Sequence, residues 1–120
     1  MQDFRRMQTW QKAHCLALKA YALSADFPKT EMFGLTTQMR RAAVSVAANI
    51  VEGCSRGGDG MFGNHLKIAR GSAGELEYYG ILASELGLLT SEAGRGLSRD
   101  AAEVKRMLTG LLKVVEAKER

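Results

Sequence analysis

Apolar residues recur at three- and four-residue steps in four separate stretches of this chain, and that spacing restricts it to helices packed side by side. The steps run Trp10, Ala13, His14, Ala17, Tyr21 in the first stretch and Leu35, Met39, Ala42, Val46, Ile50 in the second. They continue as Phe62, Leu66, Ala69, Ala73, Leu76, Gly80, Ala83 in the third and Leu97, Ala101, Val104, Leu108, Leu111, Val115 in the fourth. Pro28 is the only proline, and β-branched residues gather only at 44–51, so nothing competes with helix over most of the length. The breaks define helices at about 8–25, 36–52, 60–86 and 91–117. Ala25-Asp-Phe-Pro28 closes the first, because a residue before proline avoids the α region. Thr36 or Thr37 is placed to cap the second after Gly34, and Gly53 to stop it. Ser55 to Gly60 is a glycine-rich loop, and Asp59 is placed to cap the third helix, which Gly87 ends. Thr90 or Ser91 opens the fourth, although Gly94 and Gly96 weaken its first turn enough for the start to slip to Ser98. Short loops between long helices make neighbours antiparallel, so the expected fold is all-α: an up-down-up-down four-helix bundle in a single domain.

A chain of 120 residues can bury a core without disulfides or a metal. Cys15 and Cys54 match no zinc or redox spacing, which points to buried thiols in a reducing cytoplasm. The first ten residues contain no apolar signal segment, and no uninterrupted apolar run reaches the roughly 18 residues a membrane span needs. We therefore expect a cytoplasmic protein without a membrane partner. Seventeen Lys and Arg against thirteen Asp and Glu leave a charge of +4, which tolerates a polyanionic partner without requiring one.

The stretch from Leu35 to Gly53 poses a conflict, because it is apolar almost all round yet contains Arg40, Arg41, Asn49 and Glu52. Ala42, Ala43, Val46, Ala47 and Ile50 form one face; Val44, Ala48 and Val51 form another. Cys15, Leu16, Leu18 and Leu23 on the first helix, and Tyr78, Ile81 and Leu82 on the third, also lie off the core line. Surplus apolar surface of this kind marks a subunit interface; the competing account is a thick bundle with the second helix at its centre. Asn49 and Glu52 share a flank one turn apart. If the second and third helices pair across the loop, Asn49 comes near Asn64 and His65, and Arg41 near Ser72 and Glu75. A buried Glu52 would need a partner: a cation, the amides of the glycine loop, or a wet subunit junction. A polar clasp that fixes register is the favoured role for the Asn49 and Glu52 pair, and a binding or catalytic role is the alternative. Small residues at 69–74 point to tight helix packing, with a ligand-accommodating notch as the lesser alternative.

The motifs that carry this pattern are Trp10-Gln-Lys-Ala, Phe27-Pro-Lys-Thr-Glu31, Gly34-Leu-Thr-Thr-Gln-Met-Arg-Arg-Ala42, Asn49-Ile-Val-Glu-Gly53 and Ala69-Arg-Gly-Ser-Ala-Gly-Glu-Leu-Glu77. In that order, over about residues 4–115, the chain resembles the four-helix-bundle proteins encoded in intervening sequences of bacterial 23S ribosomal RNA genes. The resemblance implies a four-helix bundle assembled as a ring-like homo-pentamer, with no established enzymatic activity. It also implies an association with RNA, suspected from gene context, and a similar architecture serves accessory proteins of diversity-generating retroelements that bind nucleic acid and a reverse transcriptase. The recurrent positions fall here on Arg40, Arg41, Asn49, Glu52, Gly53, Ser72, Glu75 and Glu77, of which Asn49, Glu52, Ser72, Glu75 and Glu77 are candidates for the polar clasp. The glycine-rich loop departs from the family pattern, which argues against a function carried there.

Catalysis needs convergent groups. His14 and His65 lie on different helices, and His14 and Cys15 point in adjacent directions, a poor arrangement for a nucleophile and its base. His14 is expected as a satisfied core residue. Glu52, Glu75 and Glu77 lack the Glu-x-x-His pattern of di-iron bundles, and the loop lacks the Gly-Lys-Ser/Thr of a phosphate loop. We assign no catalytic, cofactor or metal residue and no small-molecule substrate, and expect a non-enzyme. Candidate nucleic-acid contacts are Arg5, Arg6, Lys12, Arg40, Arg41, Arg56, Lys67 and Arg70, repeated around an oligomer so that their potential adds. Interleaved acids, and the lack of an aromatic platform on the second and third helices, weigh against that reading. The expected function is homo-oligomeric assembly, with low-specificity RNA or DNA binding as the alternative.

Overall fold

In the computed structural model, which describes residues 3–118, four long helices carry most of the chain: α1 Gln8–Ser24, α2 Leu35–Arg56, α3 Asp59–Glu85 and α4 Ser91–Lys118. Short 3-10 turns at Phe4–Arg6 and Lys29–Glu31 precede α1 and α2, and there is no strand among the described residues. The body measures 47 × 21 × 20 Å. A 28-residue helix is about 42 Å long at 1.5 Å per residue, so the helices run along the long axis. Each packs on two others, α2 on α3, α3 on α4 and α1 on both α2 and α4. The diagonal pairs α1–α3 and α2–α4 have no Cα atoms within 8 Å.

The core follows the expected stripes on three helices. Every member of the α2 and α3 lines is buried, and on α4 Leu112 replaces Leu111 as the deeper of two neighbours. On α1 the stripe is rotated. Ala13, Leu16, Ala20 and Ser24 face the core, while Trp10 is half-buried and His14 and Tyr21 are exposed. Two lines with helical period compete on this helix. The alanine line wins because small side chains let α1 lie close, leaving amphipathic rings at the boundary. Ser24 is tolerated there because its hydroxyl donates to the Ala20 carbonyl at 2.7 Å and accepts from Arg40 Nε at 2.8 Å.

Several helix ends differ from the sequence expectation. α2 does not stop at Gly53 but runs one turn further to Arg56. Gly53 is a close-approach glycine, since a Cβ there would sit 2.9 Å from Phe62 Cδ1 and 3.1 Å from His65 Cβ. The chain turns instead at Gly57 and Gly58, whose φ angles of 73° and 80° favour glycine. Gly58 occupies the cap position of α3, and Asp59 lies in its first turn without a capping bond. Gly34 likewise takes the cap of α2. Thr37 donates to the Met32 carbonyl, and Thr36 is buried with a hydroxyl that has no partner. A buried unpaired hydroxyl is costly, so Thr36→Val should raise stability by about 1 kcal/mol, read as a higher denaturation midpoint at unchanged m-value. At α4 the cap is as expected, with Thr90 Oγ1 accepting from Ala93 N–H at 3.1 Å, and the start does not slip to Ser98.

Gly94 and Gly96 stay helical and buried. A Cβ on Gly94 would lie 2.7 Å from the Gly80 carbonyl oxygen, and one on Gly80 2.9 Å from the Gly94 carbonyl oxygen. Here α3 and α4 meet backbone to backbone, and Ser98 Oγ donates to the Glu77 carbonyl at 2.7 Å. Gly80 and Gly94 are therefore a backbone-close crossing; within the small-residue run at 69–74, Ala69, Ser72 and Ala73 are buried, while the two glycines are not crowded. Gly71 has nothing within 4 Å of an added Cβ, and Gly74 has only Lys105 Cδ at 3.9 Å.

Candidate functional site

The polar residues within the apolar run sort into two kinds. Along the α2–α3 groove, Asn49 Oδ1 lies 2.9 Å from His65 Nδ1, and Asn49 Nδ2 donates to the Ser45 carbonyl at 2.9 Å and to Ser45 Oγ at 3.0 Å. Ser72 Oγ donates to Ser45 Oγ at 2.8 Å. Asn49 is thus beside His65 as its spacing implied. Ser45 is the member that sequence reasoning missed; its place four residues before Asn49, on the same flank, was the available signal. One turn further along, Gln38, Arg41, Ala42, Ser45, Ser72 and Glu75 line a cavity of about 260 Å³, so Arg41 shares walls with Ser72 and Glu75.

Glu52 and Glu77 do not join this line. Glu52 is half-exposed and accepts from Arg56 Nη2 at 2.8 Å and Nε at 3.1 Å. The extra turn of α2 supplies that partner, which also balances a carboxylate near a helix C-terminus. Glu77 faces α4 and meets Lys105 at 2.6 Å. The five clasp candidates therefore divide into Asn49 and Ser72 bonded through Ser45, Glu75 at a cavity wall, and two separate ion pairs. Asn49→Ala should cost about 1–2 kcal/mol, because His65 and Ser45 lose their partner. Glu52→Gln should stay within about 0.5 kcal/mol; paired urea melts check both.

The eight candidate cations are spread over all four grooves. Lys12, on the α1–α4 seam, meets Glu103 at 2.8 Å, and that carboxylate holds the ammonium above its usual pKa. Arg40 spans α1–α2, with its guanidinium 4.6 Å from the Tyr21 ring centroid. Arg41 lies on α2–α3, and Lys67 on α3–α4, 3.8 Å from Glu116. Arg56 is taken by Glu52. Arg5 lies over the Phe4 ring at 5.1 Å. No single basic patch collects these residues. Arg5, Arg6, Arg41 and Arg70 have no ion pair among the described residues.

His14 is not a core residue. It is exposed and stacks on Trp10, with ring centroids 5.0 Å apart and planes 5° apart. Phe4 meets the same indole edge-on at 5.0 Å. Cys15 is exposed, against expectation, because the rotation of α1 turns it outward. Cys54 is buried, 3.7 Å from Met7 Sδ, and burial pushes its thiol pKa up, which keeps it protonated and weakly nucleophilic. No three His, Cys, Asp or Glu side chains converge among the described residues, and none of the described helices is long and apolar enough to cross a membrane.

The apolar surplus is partly real. Leu16 is buried, and Leu23 and Leu82 pack against the core. Leu18, Tyr21, Val44, Tyr78 and Ile81 are each more than two-fifths exposed, and Phe33 is 96% exposed. Val44 and Ala48 look outward, so the second helix is not enclosed by its companions.

The profile of the 23S rRNA-intervening sequence protein matches residues 5–110. The chain belongs to that family. No curated protein matches it. Among solved structures it is similar to a protein of unknown function from the S23 ribosomal protein family of Bacteroides thetaiotaomicron VPI-5482. The two share 25% identity over 88% of this chain and 98% of the other, with a TM-score of 0.78. In this member of the family, then, Asn49 and Ser72 of the resembling motifs bond through Ser45, and Gly53 marks a close helix crossing.

Proposed function

We propose that this chain is a non-catalytic assembly module of the bacterial cytoplasm: an antiparallel four-helix bundle that associates with copies of itself into a closed ring. Five subunits is the number we expect for that ring, on the family resemblance alone. Pairs that run in opposite senses along neighbouring helices, such as Gly53 with Phe62, Asn49 with His65 and Ser45 with Ser72, support the up-down-up-down course. The observation that carries assembly is Phe33, 96% exposed on a turn held in place by backbone bonds from Glu31, Met32 and Gly34. An ordered, fully exposed phenylalanine forgoes the roughly 1.5–3 kcal/mol its burial would contribute. Leu18, Tyr21 and Val44 extend apolar surface along α1 and α2, and Tyr78 and Ile81 do so on α3. Native mass measurement at micromolar concentration tests the reading. A multiple of 13.1 kDa supports it, and a 13.1 kDa particle overturns it.

A second reading is low-specificity RNA or DNA binding by basic residues repeated around the ring. The Phe4–Trp10–His14 stack beside Arg5 and Arg6 favours it, because His14 leaves a ring on the surface where a base can stack. Binding that collapses with added salt is the expected result; no binding to structured RNA or duplex DNA at low salt removes it.

A further inference from the structure

We infer that the outward face of α4 is a binding surface for the sugar–phosphate backbone of a nucleic acid. Arg95, Arg99, Arg106 and Lys113 follow one another at steps of four, seven and seven residues. At 3.6 residues per turn these positions fall within about 40° of one line, over about 27 Å. All four are exposed, and none has an ion pair among the described residues. The acids of the same helix are turned to its flanks: Asp100 meets Lys19 at 2.6 Å, Glu103 meets Lys12 at 2.8 Å, and Glu116 meets Lys67 at 3.8 Å. Charge is thus sorted around α4, with carboxylates in the grooves toward α1 and α3 and uncompensated cations facing out. Glu92 lies in the first turn, where the helix dipole accommodates it. Glu85 shares a cavity wall with Arg95 and Arg99 but forms no ion pair with either.

The residues beside the cations are small. Ala102 and Thr109 flank the line, and Gly110 is exposed with nothing within 4 Å of an added Cβ. No packing among the described residues accounts for a mid-helix glycine that costs about 1 kcal/mol against alanine. A low, smooth surface lets a phosphate chain lie close, and guanidinium groups bind phosphate in bidentate fashion. A line of about 27 Å spans about eight base pairs at 3.4 Å each. A membrane surface fits less well. An interfacial helix inserts its apolar face, and here Leu97, Val104, Leu108 and Leu112 are locked in the core. None of these four cations is among the eight that the sequence singled out. The ligand class rests on the second reading above; the surface is new.

The test is fluorescence anisotropy with a 20-nucleotide single-stranded RNA and a 20-base-pair DNA duplex, titrated with salt. The double variant Arg99→Gln/Arg106→Gln should weaken low-salt binding at least tenfold. It should also flatten log K against log salt by about 1.8 for duplex and about 1.4 for single strand, at 0.9 and 0.7 per lost contact. Melting temperature and native mass should be unchanged, since both side chains are exposed, and Arg99→Lys/Arg106→Lys should keep the slope. Binding by the parent with an unaltered slope in the Gln variant overturns the α4 surface and leaves nucleic-acid binding standing elsewhere. No binding by the parent to either probe at low salt removes both. Binding by the parent without salt dependence would also overturn the proposal, because phosphate contacts release counterions.

Discussion

Gly94→Ala should lower the melting temperature by roughly 6–10 °C, although alanine is the better helix former. Propensity alone would stabilise the helix by about 1 kcal/mol. Against it stands a methyl group placed 2.7 Å from the Gly80 carbonyl oxygen and 2.7 Å from Ser84 Cβ. Neither atom is the far end of a flexible side chain, so α3 and α4 must move apart. That separation also stretches the bond from Ser98 Oγ to the Glu77 carbonyl. Overpacking costs about 1–3 kcal/mol, and adding the loosened bond brings the net loss to about 2 kcal/mol. For a chain of this size each kcal/mol shifts the midpoint by roughly 3–5 °C. Gly71→Ala is the control. Nothing lies within 4 Å of its added methyl, so it should gain up to about 1 kcal/mol. Calorimetry on the pair separates steric cost from propensity, and equal shifts would deny the close crossing.

On the proposed assembly, Phe33→Glu should leave only particles of 13.1 kDa, with helix content and melting of the subunit nearly unchanged. The side chain touches little within its own chain, being 96% exposed, so its loss leaves the fold intact. At a subunit contact the same change would bury an unpaired carboxylate, which costs several kcal/mol. Repeated at every contact of the proposed ring, that penalty would separate the copies at micromolar concentration. Val44→Glu, at a position 42% exposed on α2, should act in the same direction if the α1–α2 edge belongs to the contact. Light scattering of the two variants beside circular dichroism provides the readout. Retained oligomer mass in both would place assembly on other surfaces.

Helix number and the core lines of α2, α3 and α4 are legible in the sequence because period alone decides which side of a long amphipathic helix is buried. α1 is less legible. Its two apolar lines have the same period, and the outcome depends on how closely a neighbour can approach, which favours Ala13 and Ala20 over Tyr21. Glycine is ambiguous for a related reason. Gly53 resembles a stop signal, yet it is helical because Phe62 needs the space beside it. Gly57 and Gly58 make the turn, as their positive φ angles require. The cation list suffered from counting charges without their neighbours. Lys12 and Lys67 look available in a linear chain, but each faces a carboxylate of α4 that only folding brings near, and Arg56 meets Glu52 four residues back because α2 continues past Gly53. Arg95, Arg99, Arg106 and Lys113 are spaced widely enough along the chain to form no visible cluster, and only the helix lines them up.

The seam between α1 and α4 gives the molecule an uneven resistance to opening. α3 and α4 meet at backbone distance, whereas α1 is only 17 residues long and is tied to α4 by Lys12–Glu103 and Lys19–Asp100, pairs that are all more than a third exposed. Exposed pairs weaken as salt screens them, and lightly packed elements detach at lower free energy than the global transition. Amide protons of α1 should therefore exchange with solvent well before those of α3, with the gap widening as ionic strength rises. The amino-terminal helix is in that sense a hinged flap on a three-helix block.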